Sequence, residues 1–316
     1  MKNILTITFA EIRSLFRERI VYSITLVFIL MSMASSFIGW STFTTANAVY
    51  KSSVLFLQNQ GVINIATDPL LKISTLASFD NLIIYISLIG ALLAIIIGHH
   101  SMMHERKSGI LQVLFTRPIT KKSVIFGKVL GLGVTIFSII GVTALVSILF
   151  SYLLPFVHLN FSDIYHLLVF FFVSFLYMLL FSVIGLYFAI NAKSQSLALF
   201  IPVCIWVGIT FILPELGTGL TPTALLNPVT LLQLPVLDTF FQTSQKLLAP
   251  FSLAWHYYTI SGELLGSSFT SSLPILKVLS KNIIQIITLI GSTFVFLILS
   301  IRSLEKFDPR SDSVNE

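Results

Sequence analysis

An all-α, polytopic membrane fold is predicted for this chain, on three observations. Six long stretches, 20–40, 82–98, 129–154, 164–190, 197–213 and 282–301, contain no Asp, Glu, Lys or Arg. A bilayer core about 30 Å thick takes about 20 residues at a rise of 1.5 Å each, and each stretch reaches or approaches that length. The composition agrees: 55% hydrophobic and 10% charged, with a mean hydropathy of +0.94, where soluble domains carry about 25% charged residues. The apolar runs are continuous rather than alternating. That selects helices over a barrel, the two structures that satisfy their own backbone polar groups in lipid.

Residues 1–19 mix apolar and charged residues at helical spacing. Leu5, Phe9, Ile12 and Phe16 share one side, with Glu11 and Glu18 on one edge and Arg13 and Arg17 towards the other. This predicts a helix lying in the interface plane before the first span. The segment does not fit a secretory signal, because its n-region is long and carries both glutamates. Spans are predicted at 20–40, 82–103, 124–154, 164–190, 197–214 and 282–301, within one permease-like domain over 1–316. Trp40 suits the membrane interface. Residues 41–81 and 215–281 are then extracytoplasmic. In the latter, Pro222, Pro228 and Pro235 argue against a straight helix and predict broken, re-entrant or interfacial helices, with Trp255, Tyr257 and Tyr258 at the membrane surface. Pro202 is expected to kink the fifth span. Gly131, Gly133, Gly141 and Gly185 are candidates for close helix approach.

The net charge of +6 follows position rather than a nucleic-acid partner. With the N-terminus inside, fourteen of the 19 Lys and Arg fall on inner segments, a clear positive-inside bias. Both termini and the loop 104–123 are therefore expected on the cytosolic side. The single cysteine, Cys204, forms no intramolecular disulfide and no metal cage.

The catalytic motifs are informative by their absence. Gly127-Lys128-Val129 has the Gly-Lys pair of a P-loop without its preceding glycine or following Ser/Thr. There is no His-Glu-x-x-His and no Gly-x-Ser-x-Gly. The apolar stretches hold no ionisable group of the kind that ion-coupled carriers use. The chain is expected not to be an enzyme, to hold no cofactor of its own, and to receive energy through a partner.

The stretch 105–131 carries most of the functional argument. Glu105 to Phe115 is predicted as one short helix with Ile110, Leu111, Leu114 and Phe115 on an apolar edge. Pro118 ends it, since its ring disfavours the α conformation before it, and Thr120 caps the next helix. A short helix lying across the cytosolic face and joined closely to two spans could pass a push from a soluble partner into the membrane.

The pattern Glu105-Arg106-x-Ser108-Gly109-x-Leu111, then Pro118-x-Thr120-Lys121-Lys122, then Gly127-Lys128-x-x-Gly131, resembles the coupling-helix region of ABC transporter permeases of the exporter-like type-2 superfamily. The resemblance runs in order along nearly the whole chain. The motif Leu225-Leu226-Asn227-Pro228, with residues 74–79 before the second span, is similar to the branch containing the nitrous oxide reductase maturation permease (NosY-type). Gliding-motility, bacteriocin-immunity and other exporter permeases share much of that pattern. The resemblance implies a bacterial inner-membrane permease with cytosolic termini. It would pair with a second copy and bind a cytosolic ATPase subunit that holds ATP and Mg, with a periplasmic partner protein also conceivable. It assigns Glu105, Arg106, Gly109, Leu111, Leu114 and Pro118 to ATPase docking. Lys121, Lys122 and Lys128 go to the membrane edge, and Asn227 and Pro228 to an extracytoplasmic motif. The alternative is a non-transporting scaffold or immunity protein acting through 215–281.

His100 and His104, beside His99, Met102 and Met103, lie one helical turn apart and could share a metal. The plainer reading is interfacial histidines and methionine packing at the end of a span.

Overall fold

The computed structural model describes residues 2–61, 75–116, 119–155, 159–213, 247–266 and 274–307. Among these residues every regular element is a helix, and six helices are long and apolar enough to cross a membrane. The elements are α1 (Lys2–Arg17), α2 (Ile20–Asn59), α3 (Thr75–Lys107), α4 (Ile110–Leu114), α5 (Lys121–Leu153), α6 (Phe161–Asn191), α7 (Gln195–Ile212), α8 (Leu253–Leu265), α9 (Ile275–Lys281) and α10 (Ile283–Lys306). Pro118, Asn227 and Pro228, together with Pro222 and Pro235, lie outside the described residues.

The six spans are where the apolar stretches placed them, but their ends are not. α2 continues through Asn59, 40 residues in all, so the helix that holds the first span does not end at Trp40. At 1.5 Å per residue it is about 60 Å long, twice a bilayer core. Trp40 sits mid-helix, and its Nε1 donates to the Pro155 carbonyl at 3.0 Å. The sequence could not show this end, because residues 41–59 are polar enough to resemble a loop while breaking no helical rule.

Local chemistry explains several starts. Thr120 Oγ1 accepts from the Ser123 amide, as expected, and opens α5. Asn160 and Asp163 form a reciprocal capping box at α6. Ser194 and Ser252 cap α7 and α8. Asp163 also accepts from Thr75 at 3.2 Å, tying the starts of α3 and α6. Between α1 and α2 the chain turns at Arg19, held at φ 62, a left-handed conformation that ends one helix and re-aims the next.

α6 is the central helix. It packs against α3, α5, α7, α8 and α10, and two thirds of its most apolar window is buried, against 17% for α10. Its closest neighbour is α3. A Cβ on Gly98 would overlap the Ser182 carbonyl oxygen, and one on Gly185 would overlap the Ile95 carbonyl oxygen. Of the glycines anticipated at helix contacts, Gly185 and Gly131 are there. Gly141 has nothing within 4 Å, and Gly133 meets only Leu179 at 3.8 Å. Pro202 lies inside α7, which widens into a π-turn at Gly208–Ile212.

α8 corrects another expectation. Its thirteen residues are too few to cross a bilayer, and it packs inside the bundle against α6 and α10. Tyr257 is fully buried rather than at a surface. Its ring stacks on Tyr177 at 4.5 Å, and its hydroxyl meets Ser174 Oγ at 2.9 Å. Opposite it, α3 opens into a π-turn at Ile86–Gly90. The Ser87 carbonyl there accepts from Tyr177 Oη at 3.2 Å and Trp206 Nε1 at 3.5 Å. A π-turn loosens the i→i−4 ladder, which leaves this carbonyl able to serve neighbouring helices.

Candidate functional site

The segment between α3 and α5 is not one helix from Glu105 to Phe115. α3 runs on to Lys107, and the chain then turns at Gly109 with φ 69 before the single turn α4. A side chain is strained in that left-handed conformation and glycine is not, so Gly109 sets the angle at which α4 leaves α3.

The charged residues around this turn face inward. Arg106 is buried, and its Nη1 donates to the carbonyls of Ala189 at 2.7 Å and Ala192 at 3.0 Å, with Ile190 at 3.4 Å. These carbonyls end α6, where a cation satisfies orphan acceptors and complements the helix dipole. The guanidinium also lies 5.2 Å from the Phe307 ring centroid. Lys121 does the same for α10, donating to the carbonyls of Glu305 at 3.1 Å and Phe307 at 2.8 Å. Lys122 makes an exposed pair with Glu305 at 3.7 Å.

Lys128 is the most enclosed of the three lysines assigned to the membrane edge. It is fully buried within α5. Its ammonium donates to Glu11 Oε2 of α1 at 2.7 Å and to the Ser101 carbonyl of α3 at 2.8 Å, and Glu105 Oε1 lies 2.9 Å away. An ammonium has three donors, and all three point at oxygen. Helix α5 begins seven residues before Lys128, so the membrane helix contains a charge that the apolar stretch 129–154 excluded. α1 accordingly packs on α5 through Thr8, Glu11 and Leu15, while Leu5 and Phe9 stay 53% and 70% exposed.

What the turn shows outward is a different set of residues. Leu111 is buried and pins α4 to the bundle, with Leu114 and Phe115 half-buried. Ile110 and Val113, one turn apart, are 47% and 62% exposed, and Lys107, Ser108 and Thr116 lie beside them. Of the residues assigned to docking, Glu105, Arg106 and Leu111 hold the turn in place, Gly109 bends it, and Leu114 backs it. Val113 was not singled out in the sequence, where a lone valine in a five-residue helix has no periodic signal. Glu11 was, but only as an edge of α1. Its spacing of seven from Glu18 is the signal that both share a face.

The histidine cluster divides in two. His100 and His104 stack at 5.7 Å between ring centroids and both contact Glu18. Met102 and Met103 are buried in packing.

The whole chain can be compared with known proteins at this point. Residues 5–308 match the model of the family described as ABC-2 family transporter protein. The chain belongs to this family. No curated protein matches it. As an ABC-2 family member with six candidate spans, it is a multi-pass membrane protein of the permease kind. In this ABC-2 protein the turn at 105–116, the start of α5, the turn at 189–195, the helix α1 and the end of α10 all meet at one end of the bundle, through the Arg106, Lys121 and Lys128 contacts.

Proposed function

We propose that this chain is the membrane subunit of an ABC transporter and that it receives ATP-driven motion from a separate cytosolic ATPase through α4. The observation that supports this best is the construction of the α3–α4–α5 turn. An exposed apolar pair, Ile110 and Val113, stands on a short helix whose base is fastened to α1, α3, α5 and α6 by Leu111, Arg106 and Lys128. A push on α4 is therefore delivered to α1 and to three membrane helices rather than absorbed by a loose loop. Motion is transmitted only if the partner binds the two conformations with different affinity.

In this reading ATP and Mg are bound by the partner subunit, and a second copy of the chain completes the membrane unit. The turn end of the bundle faces the cytosol of a bacterial inner membrane. A role in metalloenzyme maturation of the nitrous oxide reductase type rests on the sequence resemblance and is part of the proposal. A periplasmic partner is favoured by α2, whose extension to Asn59 carries exposed Val49, Leu55 and Phe56.

The test is co-purification of the tagged chain with an ATP-binding-cassette subunit from native membranes, for the native chain and for Ile110→Asp with Val113→Asp. The expected result is an ATPase that accompanies the native chain and is lost from the double variant at unchanged thermal stability. No ATPase with the native chain, or full retention by the variant, overturns the proposal.

A further inference from the structure

Glu18, His100 and His104 come from two parts of the chain and converge at one place. Glu18 lies in the corner between α1 and α2, next to the left-handed Arg19. His100 and His104 occupy successive turns of α3, so their rings project from the same face. Each of the three offers one ligand atom, and those atoms all lie within 4.8 Å of one another. His100 Nε2 contacts a Glu18 carboxylate oxygen, and His104 Nδ1 is 3.5 Å from the other oxygen.

From this geometry we infer that Glu18, His100 and His104 form a binding site for a divalent first-row transition cation of the zinc class. Two imidazoles and one carboxylate are a donor set that such ions take, with the fourth position left to water. Ligands about 2 Å from a shared ion stand at most about 4 Å apart, so the cluster closes on a cation through side-chain shifts of about an ångström. The side chains are a quarter to a half exposed, which gives an ion an entry path. The carboxylate supplies negative charge for the cation, and the competing arrangement is a plain His–Glu ion pair.

Position gives the site a consequence. A bound ion ties the α1–α2 corner to the last turns of α3. Seven residues earlier on the same face of α1, Glu11 reaches Lys128, which also holds Glu105 at the end of α3. The ion thus adds a second fastening between α1 and α3, the helix that ends at Lys107. The inference does not depend on the permease proposal.

The test uses the full chain in lipid nanodiscs, stripped with chelator and then titrated with Zn2+. The parallel samples are His100→Ala with His104→Ala, and Glu18→Gln as a milder change. One Zn2+ per chain is expected for the native protein, with affinity reduced by about 100-fold or more in the double variant and at least about tenfold in Glu18→Gln. Co2+ in place of Zn2+ should give a visible absorption band with the native chain that the double variant lacks. No stoichiometric binding by the native chain, or equal binding by native and double variant, overturns the inference. Lys107→Ala, next to the cluster but offering no ligand, should bind as the native chain does.

Discussion

The Glu11 carboxylate and the Lys128 ammonium, 117 residues apart in sequence, meet at 2.7 Å with both side chains buried. A buried ion pair contributes little net stability, because desolvation of both charges offsets their attraction. Removing one partner is different, since it leaves a buried charge uncompensated. Lys128→Met should lower unfolding stability by about 3–5 kcal/mol. Adding Glu11→Gln and Glu105→Gln to that variant should recover most of the loss. Thermal unfolding in detergent reads both, and a triple variant no better than Lys128→Met would contradict the account.

Gly98 and Gly185 set the distance between α3 and α6. Gly98→Leu should separate the two helices and give aggregated or non-monodisperse protein on size-exclusion chromatography. Gly141→Ala, with open space around it, should elute and melt as the native chain does.

Gly109→Ala isolates backbone conformation from packing, because nothing lies within 4 Å of the added carbon. A non-glycine residue in the left-handed region costs about 1–2 kcal/mol. The variant should melt slightly earlier and weaken ATPase co-purification, whereas Gly109→Asn should be milder. A Gly109→Ala chain with native stability and coupling would show that the turn angle is not critical.

The stacked pair Tyr177 and Tyr257 separates hydrogen bonding from packing. Ser174 Oγ also donates to the Phe170 carbonyl at 2.9 Å, so Tyr257→Phe leaves it satisfied and should cost about 1 kcal/mol. Tyr257→Ala empties the contact with Tyr177 and should cost about 3–5 kcal/mol. Equal losses in chemical denaturation would contradict the packing role of the ring.

Arg106→Leu removes the cation that satisfies the last carbonyls of α6. About 1.5–3 kcal/mol should be lost, and hydrogen exchange should quicken first around Ala189–Ala192. Protection there equal to the native chain would show that the cap is dispensable.

The chain's own order of residues determined that it is a membrane bundle of six helices, where those helices lie, and that a short element between the second and third spans ends before Thr120. Long runs of apolar residues and cap chemistry are local signals, so they are legible one segment at a time. The amphipathic 1–19 helix and the glycine at 185 belong to the same class. Tertiary structure decided the rest. α2 runs through residues whose polarity resembles a loop because nothing local stops it. Tyr257 is buried because α8 folds into the bundle beside α6, which no pattern within 215–281 specifies. Arg106, Lys121 and Lys128 look like basic surface residues in sequence, yet each serves acceptors 23 to 186 positions away. A buried, paired charge is legible as such only when its partner is near in sequence. Here the acceptors are helix ends and carboxylates that only packing brings within hydrogen-bond reach.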